Sequence, residues 1–291
     1  MRILFTLTFL SIFCASNAQS IDRFSIDSGG ASATAGGINI VYTIGEAHIA
    51  ERTAATLSIS EGFIVPQLIN IRIHPIVFLQ GAYTNPNTGE ELLMRDDLRI
   101  ASSILIPTTS PYDSTTCNAS VFTTTGANAI VDWILIELRD ANDASNVLVS
   151  QSALLQRDGD IVATDGTSPV TINSISGDYY VAVRHRNHLG ILTASTVSLS
   201  ETVTNLDLSA DINVVTGGAL ALRDMGNGVF AMYAGDVNTD GSILNTDITN
   251  ALSVSGGINM YSGSDANMDG NILNTDIALI IQPNAGRIQQ F

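Results

Sequence analysis

Twice in its last quarter the chain spells the same run of oxygen-bearing side chains. Asp236, Asn238, Asp240, Gly241, Ser242 and Asp247 are matched by Asp265, Asn267, Asp269, Gly270, Asn271 and Asp276, at an offset of 29 residues. Calcium is a hard cation that takes about six to eight oxygens in flexible geometry. Side-chain oxygens at loop positions 1, 3, 5 and 12 and a backbone carbonyl at 7 supply them, while glycine at 6 permits the sharp turn. Ser242 and Asn271 stand at position 7. One Asp-Asn-Gly cluster reads equally well as an ordinary turn. Two copies that agree at every side-chain ligand position, each running into an apolar segment, point to two calcium ions.

Each loop of this EF-hand type must be held by the segment on its C-terminal side. Short helices are expected after both. The first is capped by Asn245 or Thr246, uses Ile248 and Leu252 as its apolar stripe and ends at Gly256-Gly257. The second runs through Ile277, Leu279, Ile280 and Ile281 and stops at Pro283. Ile243 and Ile272, at position 8, are expected to pack between paired loops. Helices of ~8 residues do not persist alone in water. Metal binding in this tail should therefore be folding energy as well.

The remaining composition limits what the loops can serve. The 291 residues carry 28 acidic side chains against 12 basic ones, every one of them arginine, for a net charge of -16. With no lysine there is no P-loop and no Schiff-base chemistry. The acidic excess argues against nucleic acid or an anionic membrane as partner and favours cations. G-x-S-x-G, H-E-x-x-H and C-x-x-C are all missing, so a non-catalytic role is expected. Arg2, the apolar run Ile3–Phe13 and Ser16-Asn17-Ala18 read as a Sec signal peptide cleaved after Ala18. Phe13 before Cys14 opposes a lipid anchor, and no later stretch is apolar for long enough to span a bilayer. A secreted chain then retains Cys117 alone, which excludes an internal disulfide.

Four segments are expected: the signal peptide 1–18, a small β-module 19–75, a β-sandwich 76–232 and the calcium-binding tail 233–291. The fold class is mostly β with a small α module at the end. In the β-module, Ile38–Ile44 and Thr56–Ser60 alternate as strands. The larger segment offers strands at Ile76–Gln80, Val121–Thr124, Ile130–Leu138, Asn146–Leu154, Tyr179–His185 and Thr196–Ser200, with weaker ones near Ala219–Leu222 and Val229–Met232. No helix is expected there, which favours an antiparallel sandwich. His185 and His188 have the spacing of a zinc pair but sit among Arg184 and Arg186, so a strand-end cluster paired to Asp96, Asp132 or Glu137 is the better reading. Asp158, Asp160 and Asp165 read as hairpin-turn residues, and Trp133 as core unless it faces solvent, where it would stack on a sugar.

The tandem loops resemble a dockerin module, a duplicated calcium loop and helix that docks to cohesin domains. That resemblance covers about a fifth of the chain and implies metal roles for the loop residues. It also implies partner recognition by positions 10 and 11, here Asn245-Thr246 and Asn274-Thr275. More loosely, Tyr42–Glu46 resembles a small module common in surface proteins of bacteria with type IX secretion, and Met94–Arg99, Leu155–Asp160 and Val183–His188 resemble a haemagglutinin-related β-domain; in such bacteria Asp113-Ser114-Thr115 would be an O-glycosylation site. Together these imply a cell-surface interaction or assembly protein whose partner is a cohesin-like domain or a copy of itself. The alternatives are an adhesin that binds surface glycans and, third, a glycan-active enzyme, whose paired carboxylates would have to meet in three dimensions.

Overall fold

The computed structural model describes residues 29–35, 38–44, 50–54, 57–61 and 68–291, the first four segments through their backbone. The expected signal peptide and Cys14 lie outside the described residues. The chain divides into two units, Met1–Pro66 and Gln67–Phe291. In the first, β1 (Gly29–Ala35) pairs antiparallel with β2 (Ile38–Ile44), and β3 (Ala50–Ala54) with β4 (Leu57–Glu61).

The second unit begins with β5 (Ile69–Ile76), so the expected boundary between 75 and 76 falls inside a strand. One-turn helices α1 (Gln80–Tyr83) and α2 (Asp97–Ile100) come next. Then come β6 (Ile130–Asp140), β7 (Val147–Gln156), β8 (Ile161–Val162), β9 (Val170–Ser174), β10 (Gly177–His185), β11 (His188–Leu192), β12 (Val197–Leu199) and β13 (Thr204–Asp207). The larger sheet has the order β11-β10-β6-β7-β8, with β12 also on β10, and all its pairs are antiparallel. In the smaller sheet β5 lies between β13, parallel to it, and β9, antiparallel. Ile71, Ile73, Val170 and Ile172 from the smaller sheet join Ile134, Ile136, Val181 and Val183 from the larger in one apolar core. Burying apolar side chains from two sheets supplies the main driving force of this body, at about 25 cal/mol per Å².

The structure departs from the expected elements where local chemistry overrides alternation. Val121–Thr124 is not a strand: Asn118 Oδ1 accepts the Ser120 N–H and starts a 3₁₀ turn over Ala119–Thr123. The chain leaves β5 at Ile76, and Gln80 opens α1. The helices α1 and α2 also correct the all-strand expectation for this segment. Near its end a two-strand ribbon forms from β14 (Leu222–Asp224) and β15 (Phe230–Met232).

Beyond it the tail contains α3 (Asn245–Ser253), the short strands β16 (Gly257–Ile258) and β17 (Asn271–Ile272), a π-helical turn Asp276–Ile281, and α4 (Gln282–Asn284). Pro283 therefore lies within helical backbone instead of ending it. The widened turn before it relieves the clash that an interior proline would meet, because its bonds run five residues back, as from Gln282 N–H to Ile277 O. Ile277, Ile280 and Ile281 are buried with Ile243, Ala251 and Ala266, whereas Leu252 and Leu279, expected in the apolar stripes, are exposed. Among the described residues no helix is long and apolar enough to cross a membrane.

Candidate calcium loops and their junction with the body

The two loops share six hydrogen bonds from backbone N–H to side-chain oxygen; the first adds one from Val237 N–H to Asp247 at 2.8 Å. In the first, Asp236 accepts the N–H groups of Asp240 and Gly241, each at 3.1 Å. Asn238 Oδ1 accepts Asp240 N–H at 3.1 Å and Asp240 Oδ1 accepts Ser242 N–H at 2.9 Å. Asp247 reaches back to the N–H groups of Asn238 (3.3 Å) and Leu244 (2.8 Å). In the second, Asp265 accepts Asp269 and Gly270 N–H, Asn267 accepts Asp269 N–H, Asp269 accepts Asn271 N–H, and Asp276 accepts Asn267 and Leu273 N–H, all at 2.8–3.0 Å. Gly241 and Gly270 share φ +83°, a left-handed conformation that glycine adopts without strain.

Asp247, not Asn245 or Thr246, serves the start of α3. Leu244 occupies the cap position and has no oxygen to offer, so the Asp247 carboxylate takes its N–H. Asn245, Thr246, Asn274 and Thr275 are all exposed, and the first pair lines a surface hollow of ≈ 530 Å³ with Leu244, Ala285 and Gly286. The position-8 residues do not pair with each other. Ile243 exchanges backbone bonds with Gly286 and Arg287, beyond the second helix, and Ile272 pairs with Gly257, beyond the first. The two repeats are thereby interlocked crosswise.

Carboxylates crowd in both loops. Burial pushes the Asp236 carboxyl up to about 6 against the pull of the Gly241 N–H, and the neighbouring Asp247 and Asp240 charges push the same way. Burial takes Asp265 up to about 7, with Asp276 and Asp269 adding to it and Arg186 opposing. Burial also raises Asp276. A divalent cation among these oxygens would relieve that penalty, so the donor set fits calcium. Among the described residues no three carboxylate, imidazole or thiolate groups already converge on one centre. As folded, the loop carboxylates are turned onto backbone N–H groups. A calcium shell would also draw on Asn238, Asn267 and backbone carbonyls, with Ser242 and Asn271 at the carbonyl position.

The second loop abuts a buried polar cluster of the body. Register shifts in β6 after Ile130 and in β10 after Val183 bring Asp132 and His185 together at one end of the sheet. Asp132, fully buried, accepts from Arg186 Nε (2.9 Å), Tyr261 Oη (2.7 Å) and Trp133 N–H (2.7 Å). Burial alone would raise its pKa, but the Arg186 charge and the His185 hydrogen bond hold it at about 2. His188 Nε2 accepts Gly81 N–H at 3.1 Å, so its proton sits on Nδ1, which faces His185 Nδ1 at 2.9 Å and Asn187 Oδ1 at 2.7 Å. The His185 proton is then on Nε2 and goes to Asp132 at 3.1 Å. With every ring nitrogen engaged, the pair is a relay of hydrogen bonds and not a zinc site. Burial lowers the pKa of both imidazoles, most of all that of His188, which His185 and Arg186 depress further.

The arginines take the acids named for them: Arg184 pairs with Glu137 and Arg186 with Asp132, while Asp96 binds Arg99. Asp165 accepts Thr167 and Ser168 N–H as a turn residue. Trp133 is wholly buried and donates its ring N–H to Pro107 O at 2.7 Å, which leaves no face for stacking on a sugar. Contacts that sequence reasoning did not foresee complete the junction. Arg95 donates to Asn267 O at 2.6 Å, Asn187 to Asp265 O at 2.7 Å and Arg186 to Ser262 O.

No family model matches this sequence, and no curated protein matches it. Two solved structures of mutant type II cohesin–X–dockerin complexes from Acetivibrio cellulolyticus are similar to it at 16% identity. For the N-terminal interface mutant the TM-score is 0.34, over 77% of this chain and 97% of that one. For the C-terminal interface mutant it is 0.37, over 75% and 96%.

Proposed function

We propose that this chain is an exported, non-catalytic interaction protein of the bacterial surface. Its body is a β-sandwich, and its dockerin-like tail, organised by two calcium ions, joins a protein partner: a cohesin-like domain or another copy of the chain. The observation that carries the reading is the identical set of six hydrogen bonds in the two loops, formed around the same oxygen donors. Asp236, Asn238, Asp240, Ser242 and Asp247 would hold one ion, and Asp265, Asn267, Asp269, Asn271 and Asp276 the other. Bound calcium supplies positive charge to carboxylates that burial and mutual repulsion disfavour, and so fixes the loops that present Asn245-Thr246 and Asn274-Thr275.

The test is calorimetric titration of the purified chain with calcium, followed by pull-down from the envelope of the producing organism with and without chelator. Two binding events and a chelator-sensitive protein partner are expected. An absence of heat, together with melting indifferent to EDTA, sinks the reading.

A further inference from the structure

The two loops share ligands but not surroundings. In the first, Asn238, Thr239 and Asp240 stand exposed to solvent; Asp236 is buried, its neighbour Gly235 donates its N–H to Asn187 O of the body at 2.8 Å, and Gln289 N–H of the chain end donates to Gly241 O at 2.8 Å. In the second, the corresponding Asn267 and Asp269 are half-buried, and Met268 is 2% exposed within the main core of the body. Arg186, Asn187 and Arg95, all from the body, hold the carbonyls of Ser262, Asp265 and Asn267. Gly81 of α1 lies so close that a Cβ there would overlap Ala266 O. Gly270 would likewise collide with Leu105, at 2.8 Å.

We propose that the second loop, Asp265–Asp276, is a structural staple of the chain's own β-rich body, while the first, Asp236–Asp247, exchanges its ion without disturbing that body. The proposal rests on the reading of both loops as calcium sites. Its physical basis is linkage. An ion that binds only the folded loop stabilises whatever must fold for the loop to exist. For the second loop this includes the core that receives Met268 and the Asp132 cluster that holds Arg186. For the first loop it includes the tail's small core, to which β11 contributes Leu189, and the terminal segment whose Ile288 bridges to Ser242.

The sole tryptophan, Trp133, is a reporter for the body, since its backbone N–H is bound to Asp132. The experiment compares the full chain with Asp247→Asn and Asp276→Asn, by calcium calorimetry and by Trp133 fluorescence melting in calcium and in EDTA. Wild type should show two binding events and a calcium-dependent rise of roughly 5–10 °C at calcium about 100 times its dissociation constant. Asp276→Asn should lose one event and most of that rise. Asp247→Asn should lose one event and keep the rise. Equal losses in the two variants, or a full rise in Asp276→Asn, overturn the staple. No calcium heat in wild type overturns the calcium reading itself. Should Asp276→Asn fail to fold, Asn187→Ala decides: both binding events retained with a smaller Trp133 rise supports the staple, and an undiminished rise overturns it.

Discussion

The first and second loops use the same carboxylates at the same spacing and share six internal hydrogen bonds from backbone N–H to side-chain oxygen, yet Asn238, Thr239 and Asp240 of the first stand exposed while Met268 of the second is set into a protein core. A local motif therefore specifies its own backbone but not its role. What separates the loops is their fourth position. Thr239 and Met268 both adopt left-handed backbone, at φ 58° and 61°, so the turn is the same. Only the side chain differs: Thr239 points into water, and Met268 joins the cluster of Leu98, Met94 and Trp133.

The sharpest way to break the comparison is to shorten both side chains. Met268→Ala should cost about 2–5 kcal/mol in urea unfolding monitored by Trp133 fluorescence, the usual range for emptying a buried methionine site. Thr239→Ala should cost about 0.5 kcal/mol or less. Similar values for the two would mean that the second loop is not integrated in the body. A smaller effect is expected from Gly81→Ala. The added methyl meets the Ala266 backbone oxygen, which no rotamer change can move aside, so about 1–3 kcal/mol of overpacking is expected. The same melts should show the calcium-dependent rise falling with it, because the loop is pushed away from α1.

The repeated loop backbone was legible in the sequence because its pattern is local: every side chain in the six shared hydrogen bonds falls within a dozen residues. The strands β6, β7 and β10 were legible too, through long runs of branched and aromatic residues. By contrast, β11 is buried along its whole length and shows no alternation to read. Of the junction only the pairing of Arg186 and His185 with Asp132 was foreseen; its contacts with the second loop were not, because those partners are brought together only by the fold. Arg95 meets Asn267 across 172 positions and Asn187 meets Asp265 across 78. Leu252 and Leu279 were misplaced. Apolarity marked them for burial, but the structure buries Ala251 in place of Leu252, and of the expected run Ile277, Leu279, Ile280 and Ile281 it leaves only Leu279 exposed.

The smallest expected effect concerns pH and sharpens the comparison through His188, which accepts Gly81 N–H directly beside the second loop. The folded pKa of both His185 and His188 lies below the ordinary histidine value. As pH falls through about 6.5, the unfolded chain binds protons that the folded chain refuses, so stability declines from there downward. Each imidazole contributes a slope of at most about 1.4 kcal/mol per pH unit. Asp132, held at about 2, adds its own loss only below about 4. The raised Asp236 and Asp265 act with opposite sign, since their folded forms hold protons to higher pH and lose stability as pH rises. Saturating calcium keeps those carboxyls ionised and removes their contribution, so urea midpoints should be measured in calcium between pH 7 and 5. The decline expected there should shrink in His188→Gln, whose amide oxygen can accept the Gly81 N–H without titrating. An unchanged slope in that variant would place the titrating group elsewhere and free the junction from any dependence on the imidazole relay.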